Sequence, residues 1–219
     1  MRERLKALAR GAATIVVTPA LLSYWIRAAI LGRDRALEGS TQALSLAPGL
    51  LGQYLRRAFL SRVLAECHRT SVVEFGTIFS SADARLEEHA YIGPDCHLGL
   101  VHVGRNVLLA AGVKIPSGGR SHGTLDMTVP IRDQAGSPVL VRVGAGSWIG
   151  SGAVVMADVG CDTIVGAGAV VTRALPDRVM AAGVPARVVR RRDGTATRVR
   201  IGGASSPAIL DKAADCRKK

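Results

Sequence analysis

A pair made of one apolar residue and one small residue recurs along this chain at a spacing close to six residues. The stretch SWIGSGAVVMADVG, residues 147–160, shows the pattern clearly, and its glycines would weaken either a helix or a long strand. A repeat of six residues predicts a parallel β-helix of hexapeptide repeats. The apolar residues that lead the repeats are Ile92, Leu98, Val103, Leu109, Ile115, Val143, Ile149, Val159 and Val165.

Each repeat is expected to form one short strand and one corner, with its leading residue pointing into a lumen that stacked coils share. One coil cannot bury its own apolar row, so stability must arise between neighbouring coils. The spacing shortens between Leu98 and Val103 and again between Val155 and Val159, which predicts a shortened corner or a shortened coil at each place. The small or β-branched residues that follow a leading residue by four positions are Ser147, Ala153, Thr163 and Ala169.

The amino-acid composition and the net charge indicate which classes of binding partner suit this chain. Only 4% of the residues are aromatic whereas 25 are glycine, so Val, Ile, Leu and Ala must build the core. The formal net charge of +12 favours anionic partners such as phosphorylated cofactors or acidic lipid headgroups. Nucleic acid is not expected as a partner, because aromatic side chains that would stack on bases are scarce.

Changes in composition and in hydrophobic pattern divide the chain into three segments. Residues 1–70 form a hydrophobic and amphipathic helical segment, expected to associate with a membrane. Residues 71–192 carry the repeats and predict the β-helix domain. Residues 193–219 are polar and basic and predict a flexible tail.

The N-terminal segment contains two uncharged runs, at residues 11–26 and 43–55, and each contains a proline. Both are shorter than the roughly 20 apolar residues that a single membrane span needs. Together they predict a re-entrant or interfacial helical hairpin whose flanking arginines favour the cytoplasmic face. The alternative is a pair of helices packed against the rest of the protein. An amphipathic helix is predicted over residues 51–69.

The repeat stops between Pro116 and Pro138, where the chain reads PSGGRSHGTLDMTVPIRDQAGSP. A projecting loop is therefore expected at residues 116–140. A loop of this length inside a repeat fold is usually functional or disordered. It contains His122, a candidate catalytic residue, and Asp126, which is a candidate to orient the imidazole or else a solvated loop acid.

Three motifs in residues 71–192 resemble those of a known family, the hexapeptide-repeat O-acyltransferases with a left-handed parallel β-helix. This group includes galactoside, maltose and polysaccharide O-acetyltransferases. The motifs are SHGTLD followed by PI, VGAGSWIGSGAVV from Val143, and IVGAGAVVTRALPDRVMAAGVPARVVRRR from Ile164. The resemblance covers a little over half of the chain and excludes the hydrophobic N-terminus.

The resemblance implies acetyl-CoA as the acyl donor, no metal, and a homotrimer with each active site between two β-helices. It also implies that His122 is the general base. The residues that it implies along the coenzyme A channel or at the coenzyme A phosphates are Ser151, Ala167, Thr172, Arg173, Arg187 and Arg190.

Acyl transfer from a thioester to a hydroxyl needs a base within hydrogen-bond reach of that hydroxyl. Histidine suits this role because its unperturbed pKa lies near neutrality, and such a base typically contributes about 10²–10⁴ in rate. Together with this chemistry, the resemblance implies an acetyl-CoA-dependent O-acetyltransferase acting on a sugar hydroxyl, and the hydrophobic N-terminus points to cell-surface polysaccharide or glycolipid biosynthesis. We expect it in the cytoplasm, at the inner face of the cytoplasmic membrane.

Three alternatives stay open at this stage. A non-enzymatic β-helix scaffold would share the repeats, and an acetyltransferase acting on serine or a drug would share the donor half. A zinc enzyme built on three histidines is the third alternative, since His97 and His102 are five residues apart.

Overall fold

The computed structural model describes residues 2–120 and 122–192, with side chains from residue 10 onward. The tail predicted at residues 193–219 lies outside the described residues. Three helices come first and form what we call the helical cap: α1 (Arg2–Leu31), α2 (Arg33–Ser45) and α3 (Gly49–Val63).

The helical cap differs in detail from the predicted hairpin. The first uncharged run lies within α1, whereas the second covers the end of α2, the turn and the start of α3. The two runs are therefore not the two arms of one hairpin. The helix predicted over residues 51–69 is α3, which ends at Val63 because Leu64 adopts an extended backbone that leads into the first strand.

Short strands follow the helical cap and stack into a parallel β-solenoid of about six turns. The strands are β1 (Glu66–Cys67), β2 (Val72–Val73), β3 (Ile78–Phe79), β4 (Arg85–Leu86), β5 (Tyr91–Ile92), β6 (His97–Leu98), β7 (Val101–Val103), β8 (Leu108–Leu109), β9 (Lys114–Ile115), β10 (Val141–Val143), β11 (Trp148–Ile149), β12 (Val154–Val155), β13 (Ile164–Val165), β14 (Val170–Val171), β15 (Val179–Ala182) and β16 (Arg187–Arg191).

The strands line up in three sheets that form the faces of a prism. Sheet A contains β1, β4, β7 and β10; sheet B contains β2, β5, β8, β11, β13, β15 and β16; sheet C contains β3, β6, β9, β12 and β14. Neighbouring strands are parallel, except that β16 turns back antiparallel to β15. Sheet A continues past β10 through single-residue bridges at Val159 and Leu175, so the shortened corner predicted before Val159 still keeps its coil in register.

The leading residues of the repeats form the core, as predicted. All nine are buried, each at most 2% exposed, and they point into the lumen from the three sheets. The small residues four positions later are buried as well. Stacking thus removes from water an apolar row that no single coil could cover.

Buried hydroxyls tie successive coils together at one corner. The Ser147 hydroxyl donates to the Gly160 carbonyl (2.7 Å) and accepts from the Thr163 N–H (3.0 Å). The Thr163 hydroxyl donates to the Pro176 carbonyl one coil further on (2.7 Å). Thr77 makes an equivalent bond to Gly93 at another corner, between sheets B and C, near the start of the solenoid. These bonds satisfy backbone groups that the tight corner would otherwise leave unpaired.

The close stacking explains one of the repeat glycines directly. A Cβ placed on Gly150 would lie 2.5 Å from the backbone nitrogen of Ala167 in the next coil. A larger residue at this position would therefore force two coils apart.

The helical cap covers the N-terminal end of the solenoid, where β1, β2 and β3 are the edge strands. Thr41 of α2 exchanges hydrogen bonds with the backbone of Phe79, and the Asp34 carboxylate accepts from the Ala82 N–H (2.8 Å). The Arg56 guanidinium donates to the Val73 carbonyl (2.9 Å). An open end of stacked strands would expose apolar rows and unpaired edges, so a solenoid needs such a cover.

Candidate functional site

The 116–140 loop leaves the solenoid after β9 and returns at β10 as a hairpin. Its two arms are joined by hydrogen bonds from the Val139 N–H to the Ser117 carbonyl (2.8 Å) and from the Ser137 N–H to the Arg120 carbonyl (2.8 Å). The Ser117 hydroxyl also accepts from the Leu100 N–H (2.8 Å), which fixes the base of the loop to the preceding coil. The loop is therefore built onto a rigid element.

Gln134 organises the tip of the loop, although nothing in the sequence pattern singled it out. Its side-chain amide donates to the carbonyls of Asp126 (2.6 Å) and Val129 (2.8 Å), and its amide oxygen accepts from the Asp126 N–H (3.3 Å). A single glutamine in an irregular segment carries no periodic signal, so sequence reasoning had no means of finding it.

His122 belongs to this loop and is exposed. Asp126 does not orient it: the Asp126 Oδ1 atom accepts the N–H (2.8 Å) and the hydroxyl (2.6 Å) of Thr128, and no hydrogen bond joins Asp126 to His122 within the described residues. The two Thr128 bonds lower the pKa of the Asp126 carboxyl below its ordinary value. Of the two interpretations of Asp126, that of an exposed loop acid matches this geometry.

Ser151 and Ala167 stack directly above one another at the corner between sheets B and C. The Gly168 N–H donates to the Ser151 carbonyl (2.8 Å), and the Gly152 N–H donates to the Ala111 carbonyl of the coil below (2.9 Å). We call these three exposed small residues, Ala111, Ser151 and Ala167, the donor corner. Their short, exposed side chains form one column that runs along three successive coils of the solenoid.

The arginines of the VPARVVR motif lie at the end of the solenoid on β16. Arg187 pairs in register with Ala182 and Arg190 with Met180, and both arginines are exposed. The Ala186 N–H donates to the Val170 carbonyl (2.8 Å), which holds Arg187 against the coil that carries Ala167. The structure thus brings Arg187 close to the donor corner, with Arg190 three residues further along β16.

Thr172 and Arg173 follow β14 and are exposed. They lie at the far end of that strand, at the corner between sheets C and A, and not at the donor corner. The predicted donor residues therefore lie at three places: Ser151, Ala167 and Arg187 at or beside the corner between sheets B and C, Arg190 further back along β16 in sheet B, and Thr172 and Arg173 at the corner between sheets C and A.

Two clefts lie in or beside the loop. One, of about 410 Å³, is formed by the loop tip around Met127 and Gln134. The other, of about 340 Å³, lies at the base of the loop and is lined in part by His97, Lys114 and Ser117. His97 and Lys114 are register neighbours on the outer face of sheet C. Sequence reasoning did not connect them, because they come from different coils.

His97 and His102, the pair that motivated the zinc alternative, do not come together within the described part of this chain. His97 lies in sheet C whereas His102 lies in sheet A, where its Nε2 atom contacts the Glu87 carboxylate at 2.7 Å. Residues 2–120 and 122–192 contain no group of three His, Cys, Asp or Glu side chains arranged to hold a metal ion.

The outer faces of the prism differ in polarity. Outward positions of sheet A are polar or charged: Glu66, Arg85, His102 and Arg142. Outward positions of sheet B are apolar in six successive coils: Val72, Tyr91, Leu108, Trp148, Ile164 and Met180. Trp148 is 49% exposed and Leu108 is 41% exposed. A continuous apolar column of this kind marks a contact face.

No family model matches this sequence, and no curated protein is significantly similar to it. Solved structures do resemble it. A maltose O-acetyltransferase from Clostridium difficile 630 is 21% identical with a TM-score of 0.62, and the match covers 72% of this chain and 87% of that one. A galactoside acetyltransferase in complex with coenzyme A is 23% identical with a TM-score of 0.58, covering 73% and 80%.

A hexapeptide-repeat acetyltransferase from Vibrio cholerae is 19% identical with a TM-score of 0.53, and the match covers 73% of this chain and 92% of that one. The fold is the left-handed β-helix of the hexapeptide-repeat acetyltransferases. The predicted fold class is thereby confirmed.

Proposed function

We propose that this protein is an acetyl-CoA-dependent O-acetyltransferase that transfers an acetyl group to a sugar hydroxyl. The observation that carries the proposal is the placement of an exposed histidine on an anchored loop, in a solenoid whose donor corner is open and ends beside arginines. Two of the solved structures of this fold contain coenzyme A or acetyl-CoA.

The donor corner fits coenzyme A in shape and charge. Pantetheine would lie along Ala111, Ser151 and Ala167, where the absence of bulky side chains exposes backbone groups. Arg187 and Arg190 supply guanidinium groups for the phosphates, which bind Arg through paired hydrogen bonds. Thr172 and Arg173 would contact the parts of the donor that extend past β14.

In the proposed reaction His122 accepts the proton of the acceptor hydroxyl as its oxygen bonds to the acetyl carbon. The carbon–sulfur bond of the thioester then breaks, and the imidazolium returns the proton to the departing sulfur. A backbone N–H from the solenoid corner would stabilise the negative charge on the carbonyl oxygen in between. His122 needs neither a covalent intermediate nor a metal for this sequence.

Assembly into a homotrimer is part of the proposal. The apolar column on sheet B, centred on Trp148, supports it because such a column is stabilised when a second copy covers it. His122 is exposed in the single chain, so a neighbouring β-helix would enclose it and complete the acceptor site.

The proposed location is the cytoplasm, at the inner face of the cytoplasmic membrane, with a precursor of a cell-surface glycan as the acceptor. The basic and apolar character of the helical cap supports this location.

Calorimetric titration with acetyl-CoA tests the donor half. Ala167→Trp should fill the donor corner and weaken binding by at least about tenfold. Ala145→Trp is the matched control, because it enlarges a small residue at a different corner of the solenoid, between sheets A and B. His122→Ala should bind acetyl-CoA as the wild type does.

Equal affinity in the wild type and Ala167→Trp would contradict the donor corner. If the wild type does not bind acetyl-CoA at all, the non-enzymatic scaffold becomes the better interpretation. Transfer to serine or a drug with no transfer to sugars would keep the reaction and replace the acceptor.

A further inference from the structure

The outward half of α1 is uncharged and mostly apolar between residues 11 and 30. Between Gly11 and Ile30, twelve positions are exposed, and none of them is charged. They cover about half of the helix circumference, as expected from 3.6 residues per turn. The six large apolar side chains among them are 50–76% exposed: Ile15, Val16, Leu22, Trp25, Ile26 and Ile30. A helix facing water would carry polar residues on this side.

The opposite half of α1 holds it to the helical cap. Ala13, Val17 and Tyr24 are buried, and the Tyr24 ring packs edge-on against Phe59 of α3 with centroids 5.8 Å apart. The Arg27 guanidinium donates to the Ser40 hydroxyl of α2 (2.7 Å). Because α2 is bonded in turn to the solenoid, α1 lies fixed on the body of the protein.

Basic residues outnumber acidic ones in the helical cap and lie at both ends of this surface, although exposed Asp34 stands between Arg33 and Arg35 and Arg33 also contacts Asp83 (3.4 Å). Residues 1–64 contain ten Lys or Arg and three Asp or Glu. Arg10 stands just before the apolar stretch, and Arg33 and Arg35 follow it at the start of α2, where both are exposed. Basic groups beside an inserted apolar face bind anionic lipid headgroups, so the charge distribution complements a cytoplasmic membrane surface.

We propose that the outer face of α1 docks into the anionic surface of a lipid bilayer and lies in the plane of that surface. By length and composition Arg10–Leu31, 22 residues with a mean hydropathy of 1.6, could also cross a membrane. Crossing would carry α2 and its hydrogen-bonded Ser40 and Thr41 into hydrocarbon, where polar groups are costly. Trp25, at 50% exposure, suits the headgroup boundary.

Docking at a bilayer favours acceptors that are attached to lipid, an inference that rests on the proposed function. An enzyme held in this plane meets hydroxyls that are presented from the bilayer, as on a lipid-linked sugar. Docking raises the local concentration of such acceptors near the enzyme and leaves the chemistry at His122 unchanged.

Flotation of the full-length protein with vesicles tests the surface. We expect binding to phosphatidylcholine vesicles that contain phosphatidylglycerol, and weaker binding to phosphatidylcholine alone. The double variant Ile26→Asn, Ile30→Asn should lower the vesicle partition by about a hundredfold. Leu125→Asn, which changes a 96% exposed leucine of the 116–140 loop, should bind as the wild type does.

Charge reversal provides a second comparison. Arg35→Glu should reduce binding to the anionic vesicles, whereas Arg178→Glu, an exposed arginine distant from the helical cap, should have little effect. Alkaline carbonate should release the bound wild-type protein, as it releases proteins that lie in the interface. Resistance to carbonate would contradict in-plane docking and favour a span.

Two further results would overturn the inference. One is a wild-type protein that floats with neither kind of vesicle. The other is a smaller oligomer, in light scattering, for the Ile26→Asn, Ile30→Asn variant, because the face would then be covered by a second copy. Transfer to a water-soluble acceptor should persist in that variant, so a failed membrane surface and a failed catalytic proposal give different results.

Discussion

Replacing Arg56 with methionine should lower the free energy of unfolding more than the same replacement of its neighbour Arg57. Arg56 is 2% exposed, and its guanidinium donates to four carbonyls: Val73 (2.9 Å), Leu44 (3.2 Å), Ser45 (3.4 Å) and Ala47 (2.6 Å). These bonds join the end of α2, the α2–α3 turn and β2. Burial lowers the pKa of Arg56, and nearby Glu74 opposes that shift.

The magnitude follows from what methionine leaves behind. A hydrogen bond from a charged donor contributes about 1.5–3 kcal/mol, but bonds that share one donor group are not additive. Removing the donor leaves the Val73 and Ala47 carbonyls without this partner, whereas those of Leu44 and Ser45 still accept from the Ala47 and Gly76 N–H groups. We therefore expect Arg56→Met to lower the free energy of unfolding by about 3–5 kcal/mol. Arg56→Lys keeps the charge but cannot reach all four carbonyls, so its cost should be smaller.

Arg57 offers the matched control at the next position. Its guanidinium lies 4.8 Å from the Tyr54 ring centroid, a partly exposed contact that contributes about 0.5–1 kcal/mol. Urea unfolding followed by circular dichroism, at one protein concentration for all variants, measures the difference. If Arg56→Met and Arg57→Met cost the same within about 1 kcal/mol, Arg56 does not join the helical cap to the solenoid as described.

Four further predictions concern the solenoid and the loop. Ile149→Ala should lower the free energy of unfolding by about 2–5 kcal/mol in the same assay because it opens a cavity in the lumen, and a cost below that of an exposed alanine substitution would contradict the stacked core. Ser147→Ala should cost about 1–3 kcal/mol, since it leaves the Gly160 carbonyl and the Thr163 N–H without their partner. Burial raises the pKa of the Cys96 thiol to about 11, so peptide mapping should find Cys96 unmodified by iodoacetamide at neutral pH, with labelling that increases as the pH approaches that value. Gln134→Ala should lower kcat at least about tenfold with little change in unfolding, because it frees the loop tip without touching the core, and an unchanged kcat would separate the loop tip from catalysis.

The solenoid could be predicted from sequence because its physics is periodic. Each leading residue, such as Ile149, points into the same lumen, and each small residue, such as Ala153, lies at an equivalent corner of the prism. Because the same rule applies at many positions, the repeat can be recognised even where its spacing shortens, as it does before Val159. The three-sheet prism follows from that rule.

The helical cap could not be predicted in the same way. Arg56 and Arg57 are adjacent in sequence, yet one is buried among carbonyls and the other lies over a ring at the surface. Helical spacing does not separate these roles, because they depend on where the α2–α3 turn places Ala47. Gly52 shows the same dependence: a Cβ there would collide with the Ala47 carbonyl oxygen.

The 116–140 loop could be predicted in part from the sequence. Its position, from Pro116 onward, was visible as an interruption of the repeat, and the resemblance drew attention to His122. The contacts that shape it, through Ser117 and Gln134, join residues with no common spacing. Asp126 is an example: its closeness in sequence to His122 leaves two interpretations open, an orienting partner or a solvated loop acid, and only the structure shows that its carboxylate bonds to Thr128.

The central claim is that His122 is the base of an acetyl transfer. The most direct measurement is coenzyme A release from acetyl-CoA, wild type beside His122→Ala, with nucleotide sugars, lipid-linked sugars, free sugars and serine as acceptors. We predict release that depends on a sugar acceptor and falls by about 10²–10⁴ in the variant, while acetyl-CoA binding is retained. Acceptor-dependent release that persists undiminished in His122→Ala would contradict the claim and assign the base to another residue.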